Sequence, residues 1–474
     1  MLITVFGLFY LLFGYIVFCL LPGKARAGWL LLLSVIYLYY MSPRALYVAV
    51  GVSILTFGAG LLVERLRTTG AQRTAKLLMI LFVGCAVALL FSFKYMRLVL
   101  PEGSSLLSIW IMPIGFSFYI LQSISYVVDI YLDRTKAERD PISFFLYLLF
   151  FPRFISGPIE EKESFTDNLR NLPQVVGLDP GRLSEAVLYM TWGIFMKMMI
   201  ADRISPYVAS LFEDSLAYST SLLLLGIAFY SIQLYADFAG YSLFAIGAGL
   251  LFGVRLSVNF DLPYFAENIS DFWRRWHITL GRFLRNYVYI PLGGSRKGLN
   301  RTLCNLMIVF VICGMWHGSG GGFLVWGIVH GLYRVIDKLL DKANIQALRR
   351  GILGHVLTVI GVWGAWVPFR AESFTQTRNY FYSLFTSGMR FHSFVHEIDV
   401  FAEFKDLYIL AAAVLILWIA EWIASRRGTS VPGWLQQRHV FVRILAVALI
   451  LGVTMAFGVY GPALEQSSLL YMEF

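Results

Sequence analysis

Apolar runs close to the roughly 20 residues that cross a bilayer as a helix follow one another along most of this 474-residue chain. That succession leaves few folds open, because hydrocarbon offers no partner for an unpaired backbone N–H or C=O. Only 14% of the residues are charged, against about 25% in soluble domains. The alternating ten-residue segments of an outer-membrane barrel are missing. The sequence therefore predicts an all-α integral membrane protein.

Spans are expected near residues 1–21, 28–42, 45–63, 77–100 and 106–132. The first lacks a basic leader and a small-residue cleavage site, so it reads as a retained helix. Lys24 and Arg26, then Arg65, Arg67, Arg73 and Lys76, then Arg134, Lys136 and Arg139 occupy alternate loops. Basic loops stay in the cytoplasm, which predicts an extracytoplasmic N-terminus in a cell (inner) membrane. The net charge of +10 is mostly this bias, and it suits anionic lipid or an anionic cytosolic ligand without any nucleic-acid signature. Cys19, Cys85, Cys304 and Cys313 lie inside apolar runs without metal-ligand spacing and read as small core residues.

The middle is less regular. Residues 144–156 are apolar but short, and Phe151-Pro152-Arg153-Phe154-Ile155-Ser156-Gly157-Pro158 reads as a re-entrant or broken helix. Residues 159–182 form a polar cytosolic loop. Hydrophobic helices resume over 188–200 and 221–252, an amphipathic stretch covers 268–290, and further spans fall at 302–316, 323–340, 352–368, 407–424 and 441–461. The expected architecture is a single polytopic domain over 1–474, with about eleven transmembrane helices plus re-entrant and interfacial pieces.

Asp271-Phe272-Trp273-Arg274-Arg275-Trp276-His277 and, 40 residues on from that histidine, Met315-Trp316-His317-Gly318 carry the chemistry. Guanidinium and imidazole groups are costly in lipid unless something polar receives them. On one continuous helix Arg274 would share a face with His277, and Arg275 with Arg282. Such a helix either holds lipid phosphates at the interface or binds a phosphorylated cofactor. Arg296 and Lys297 follow in a glycine turn without P-loop spacing, which is either a plain cytosolic turn or a phosphate contact. His317 ends an apolar run before Gly318-Ser319-Gly320-Gly321-Gly322, where it could be a general base or a satisfied core histidine. His317 and His330, 13 residues apart, would face opposite ways on one helix, so no metal site is expected. Asp129 and Asp237 are intramembrane acids, either functional or paired with Arg153 or a central arginine.

The combination Asp237-Phe238-Ala239-Gly240-Tyr241, the two histidine motifs and Tyr289-Ile290-Pro291-Leu292-Gly293-Gly294 resembles the membrane-bound O-acyltransferase family, in the branch of bacterial alginate O-acetyltransferase membrane subunits. Pro113-Ile114-Gly115-Phe116-Ser117-Phe118-Tyr119 and the Phe151–Pro158 run fit as well. The resemblance covers residues 1–340, with a family core at about 110–340. It implies a ring of helices around a central tunnel, His317 as the catalytic histidine and His277 as a second functional one. Arg274, Arg275, Arg282, Arg296 and Lys297 would then meet the donor, while Asp237, Trp316, Trp276, Asp129 and Arg153 would support the tunnel. The implied donor is acetyl-CoA, with no permanently bound cofactor. The implied acceptor side is an extracytoplasmic SGNH-type acetyltransferase or polysaccharide modification complex. Leu243, Asn286 and Ala239 stand where the branch has Asp, Asp and Ser, which widens the expected acceptor from alginate to exopolysaccharide or another envelope glycan. Two alternatives are D-alanyl transfer to teichoic acid from a carrier protein, and a glycan transporter or flippase. A transporter predicts internal repeats, and none is visible.

Overall fold

A computed structural model describes residues 2–101, 104, 109–389 and 404–460, and these form helices and turns without a β-strand. The chain packs as two compact units, neither a continuous stretch. The first takes the chain up to Met190 together with Ser242–Val258; the second takes Thr191–Tyr241 and the chain from Asn259 on. Among the described residues seven helices have the length and hydropathy to cross a bilayer, and Val5–Leu20 is apolar but shorter. The protein is a multi-pass membrane protein. The other expected spans are shorter, broken or too charged to join those seven.

The first unit contains α1 (Val5–Leu20), α2 (Arg26–Met41), α3 (Pro43–Thr68), α4 (Gln72–Val99), α5 (Phe116–Tyr131), α6 (Pro141–Leu149) and α7 (Lys162–Asn171), and most of α8 (Pro180–Phe195). The expected span over 106–132 lies partly outside the described residues, and its helix starts only at Phe116. The Asp140 carboxylate caps α6 by accepting from the Ile142 and Ser143 N–H groups at 3.2 and 3.1 Å. The helix then stops at Leu149, and Phe150–Ser156 continue as buried turns. Pro152 and Gly157 account for that broken form, since proline lacks the N–H a continuing helix needs.

The second unit is built around α9 (Asp202–Glu213), the part of α10 (Thr220–Leu251) up to Tyr241, α11 (Ile269–Arg275), α12 (Ile278–Leu284), α13 (Leu299–His317), α14 (Gly321–Lys342), α15 (Gly351–Arg370) and α16 (Phe374–Thr386). Helices Phe404–Ser425, Val431–Gln436 and Val440–Phe457 complete it. A π-helical turn, Met196–Ala201, leads into α9. Such turns cluster at functional sites because they re-aim side chains, and this one carries Lys197.

Of the cysteines only Cys313 is buried; Cys19 is half-buried, while Cys85 and Cys304 are exposed on helix surfaces. The expectation of four core residues is corrected. An apolar run marks a helix that suits lipid, and its sequence alone does not say which face meets protein.

Candidate active site

The amphipathic stretch over 268–290 is not one helix. α11 stops at Arg275, His277 adopts a left-handed backbone (φ 44°), and α12 starts at Ile278. A non-glycine residue in that region is uncommon and needs a structural reason. Asn259 supplies it. Its backbone carbonyl accepts from the Ile278 N–H at 2.9 Å. Its side-chain oxygen accepts from the Thr279 N–H at 3.3 Å and the Thr279 hydroxyl at 2.7 Å. Before the break, the Asp261 N–H donates to the Arg275 carbonyl at 2.9 Å, and the Arg275 guanidinium donates to the Asp261 carbonyl at 3.3 Å. The consequence corrects the helical-face expectation: Arg274 is exposed and His277 is buried, so they share no face. Asn259→Ala strips the acceptor from two buried Thr279 donors and is expected to destabilise the protein by about 1–3 kcal/mol. Asn259→Asp keeps the acceptor, and melting curves of the two variants should separate accordingly.

His277 is 1% exposed. Its ring meets the Phe238 ring edge-on at 4.8 Å and lies 6.3 Å from that of Trp316. Burial lowers its pKa to about 3, so the imidazole is neutral at physiological pH. An unfolded His277 would bind a proton below about pH 6.5 that the folded ring refuses, so stability rises with pH between the two values. Stability is expected to fall as pH drops from about 6.5 to about 5, approaching about 1.4 kcal/mol per pH unit from this site, and the thermal midpoint to fall with it. The slope should be shallower in His277→Gln.

His317 closes α13. Its ring is buried against Trp316 at 4.8 Å, Trp326 at 5.1 Å and Phe369 at 5.0 Å. Its place is set by a close crossing of α13 and α14. A methyl on Gly314 would collide with the Phe323 carbonyl, and one on Gly327 with the Phe310 carbonyl. Only glycine lets the two backbones approach this way, the device that small residues provide between membrane helices. Trp316 therefore neighbours two histidines carried by different elements, and Trp276 belongs to the same aromatic mass through Trp366 at 5.1 Å.

The cationic residues divide. Arg275 is held by Asp271 at 3.0 Å and Arg274, largely exposed, by the same carboxylate at 3.3 Å. Asp271 is itself fixed at the start of α11, where its N–H donates to the Asn268 side chain at 2.9 Å. Arg282 is half-buried in the last turn of α12. Arg296 and Lys297 are exposed in the turn after Gly293 and Gly294, whose φ values of 106° and 57° call for glycine. Buried Asn305 secures this turn by donating to the Gly294 carbonyl at 2.9 Å.

Asp237 pairs with a lysine of its own unit. Its buried carboxylate takes the Lys197 ammonium at 2.5 Å, and Lys197 also reaches Asp202 at 2.8 Å. Asp129 likewise pairs locally, with Arg134 at 3.1 Å. Arg153 donates to the Tyr147 carbonyl and lies over the Phe165 ring at 4.5 Å. Asp129 and Arg153 both belong to the first unit, the histidines to the second.

Lys197, Trp326, Trp366 and Phe369 carry no signal as site residues in the sequence, and His330 enters there only as a rejected metal ligand. Trp366 and Phe369 lie in α15, which reads merely as a span. Counting along one helix sets His330 opposite His317, yet the two sit on α14 and α13, and the Trp326 ring is 4.9 Å from His330 and 5.1 Å from His317. Among the described residues no group of three or more His, Cys, Asp or Glu could hold a metal ion.

Bilayer-length helices and two buried histidines in one aromatic cluster define a multi-pass membrane protein. Residues 138–367 match the membrane-bound O-acyltransferase family. The chain is 34% identical over 376 residues to a probable alginate O-acetylase AlgI of Pseudomonas putida, covering 76% of this chain and 75% of that one. It is 32% identical over 380 residues to a peptidoglycan O-acetyltransferase of Helicobacter pylori, covering 73% and 71%. A teichoic acid D-alanyltransferase of Streptococcus thermophilus is 29% identical over 252 residues, covering 50% and 60%. The chain belongs to the membrane-bound O-acyltransferase family, in its alginate O-acetyltransferase-like branch, and is an O-acyltransferase.

Proposed function

We propose that this enzyme takes an acetyl group from cytosolic acetyl-CoA and delivers it across the inner membrane for O-acetylation of an extracytoplasmic polysaccharide, directly or through an SGNH-type partner. The N-terminus then faces outward and the basic loops inward. The observation that carries the reading is the packing of both His277 and His317 on Trp316, in a buried cluster at the end of a bilayer-length helix. A thioester reaching that cluster would be sheltered from water, which limits wasteful hydrolysis. His317 acts as general base on the accepting hydroxyl, and neutral His277 lines the same cluster as a second functional imidazole. Arg274, Arg275, Arg282, Arg296 and Lys297 offer guanidinium and ammonium groups suited to the phosphates of coenzyme A, with Arg274, Arg296 and Lys297 the most accessible of them. Similarity to a probable alginate O-acetylase and to a peptidoglycan O-acetyltransferase supports a glycan acceptor.

The test is to supply labelled acetyl-CoA to inverted vesicles carrying the full chain and to follow label into lumenal glycan. Label should appear there while acetyl-CoA is consumed. If acetyl-CoA stays intact and a D-alanyl carrier protein is discharged instead, the donor assignment fails and the D-alanyl reading replaces it.

A further inference from the structure

His330 and Trp326 place two buried ring N–H groups beside His317. His330 is fully buried on α14. Its Nδ1 accepts the Trp273 indole N–H at 3.3 Å. A neutral imidazole carries one proton, and a ring nitrogen that accepts cannot hold it, so the proton is on Nε2. That Nε2–H meets no acceptor among the described residues, and neither does the buried Trp326 indole N–H. A buried donor left unpaired costs about 1–3 kcal/mol, and native proteins rarely retain two together without use. The two rings touch, at 4.9 Å, and Trp326 also packs edge-on against His317 at 5.1 Å.

Donors without acceptors select a ligand atom that only accepts. We propose that the Trp326 and His330 N–H groups bind the carbonyl oxygen of the acyl donor beside His317 and hold its charge during transfer. The inference rests on the acyl-transfer reading above. When the acceptor hydroxyl oxygen attacks the thioester carbon, its proton passes to His317 and the carbonyl π pair moves onto oxygen. The two N–H groups meet that oxyanion. The pair then returns, the C–S bond breaks, and the thiolate leaves with the proton from His317. The oxygen bears most charge in the transition state, so the donors should act on kcat more than on KM.

Inverted vesicles carrying the full chain are assayed for free thiol released from acetyl-CoA, with the vesicles' own envelope glycan as acceptor. Trp326→Phe removes the N–H and keeps an aromatic ring beside His317. Its kcat is expected to fall on the order of 10²-fold, with KM and melting temperature near wild type. His330→Leu should fall similarly. His330→Asn, which keeps an acceptor for Trp273 and an N–H to donate, should recover part of the loss. Wild-type kcat in Trp326→Phe overturns the proposal. Equal losses in His330→Leu and His330→Asn with matching falls in melting temperature also overturn it, because packing alone would explain them. Wild-type vesicles that release no thiol while remaining folded overturn the acetyl-CoA reading itself, and this inference with it.

Discussion

His317→Ala is expected to cut acyl transfer by about 10²–10⁴-fold, the usual contribution of a positioned base, while the protein still inserts and folds. The ring is buried between Trp316, Trp326 and Phe369, so alanine also leaves a cavity, and some loss of stability accompanies the loss of rate. His317→Gln separates the two effects. Glutamine fills much of the space and can hydrogen-bond, yet it has no basic nitrogen. Under the proposed chemistry both variants are slow, and only the alanine variant melts earlier. Label transfer at the wild-type rate by a folded His317→Gln protein would remove His317 from the mechanism. A rate loss that follows melting temperature across the two variants would assign the residue to packing.

The fold was legible where the chemistry is local. Hydropathy placed the long helices to within a few residues, as with α13 (expected 302–316, found Leu299–His317) and α15 (expected 352–368, found Gly351–Arg370). Pro152 and Gly157 announced the broken segment after α6. What stayed hidden depends on partners far along the chain. Arg274–Thr279 reads as helix, and nothing in those residues says that Asn259 will turn the backbone at His277. Counting along one helix sets His330 apart from His317, although Gly318 and Gly320 interrupt that helix. Trp366 and Phe369 were invisible as site residues because an aromatic in an apolar span looks the same whether it meets lipid or imidazole. The motifs around His277 and His317 were legible as chemistry because lipid makes such groups costly. Their common neighbour Trp316 emerged from packing.

The largest expected effect on stability is that of Lys197→Met. Lys197 lies between Asp237 at 2.5 Å and Asp202 at 2.8 Å, and the three side chains are 6%, 2% and 3% exposed. A cation between two carboxylates offsets their desolvation. A thioether there removes the ammonium that both buried acids share, which costs about 3–5 kcal/mol for a broken buried pair. The damage should reach the site. Phe238, next to Asp237, packs on His277 at 4.8 Å, and a methyl on Gly240 would come within 2.9 Å of the Gly193 carbonyl, so this face of α10 has little room to shift. A buried ion pair replaced as a whole is often neutral, which supplies the control. Lys197→Met combined with Asp202→Asn and Asp237→Asn should regain most of the lost melting temperature, whereas Lys197→Met alone should not. Equal melting of the single variant and wild type would mean that the carboxylates take up protons at little cost and that the lysine is dispensable to the fold. Recovery of stability without activity in the triple variant would show that the charges themselves, beyond their packing, serve transfer.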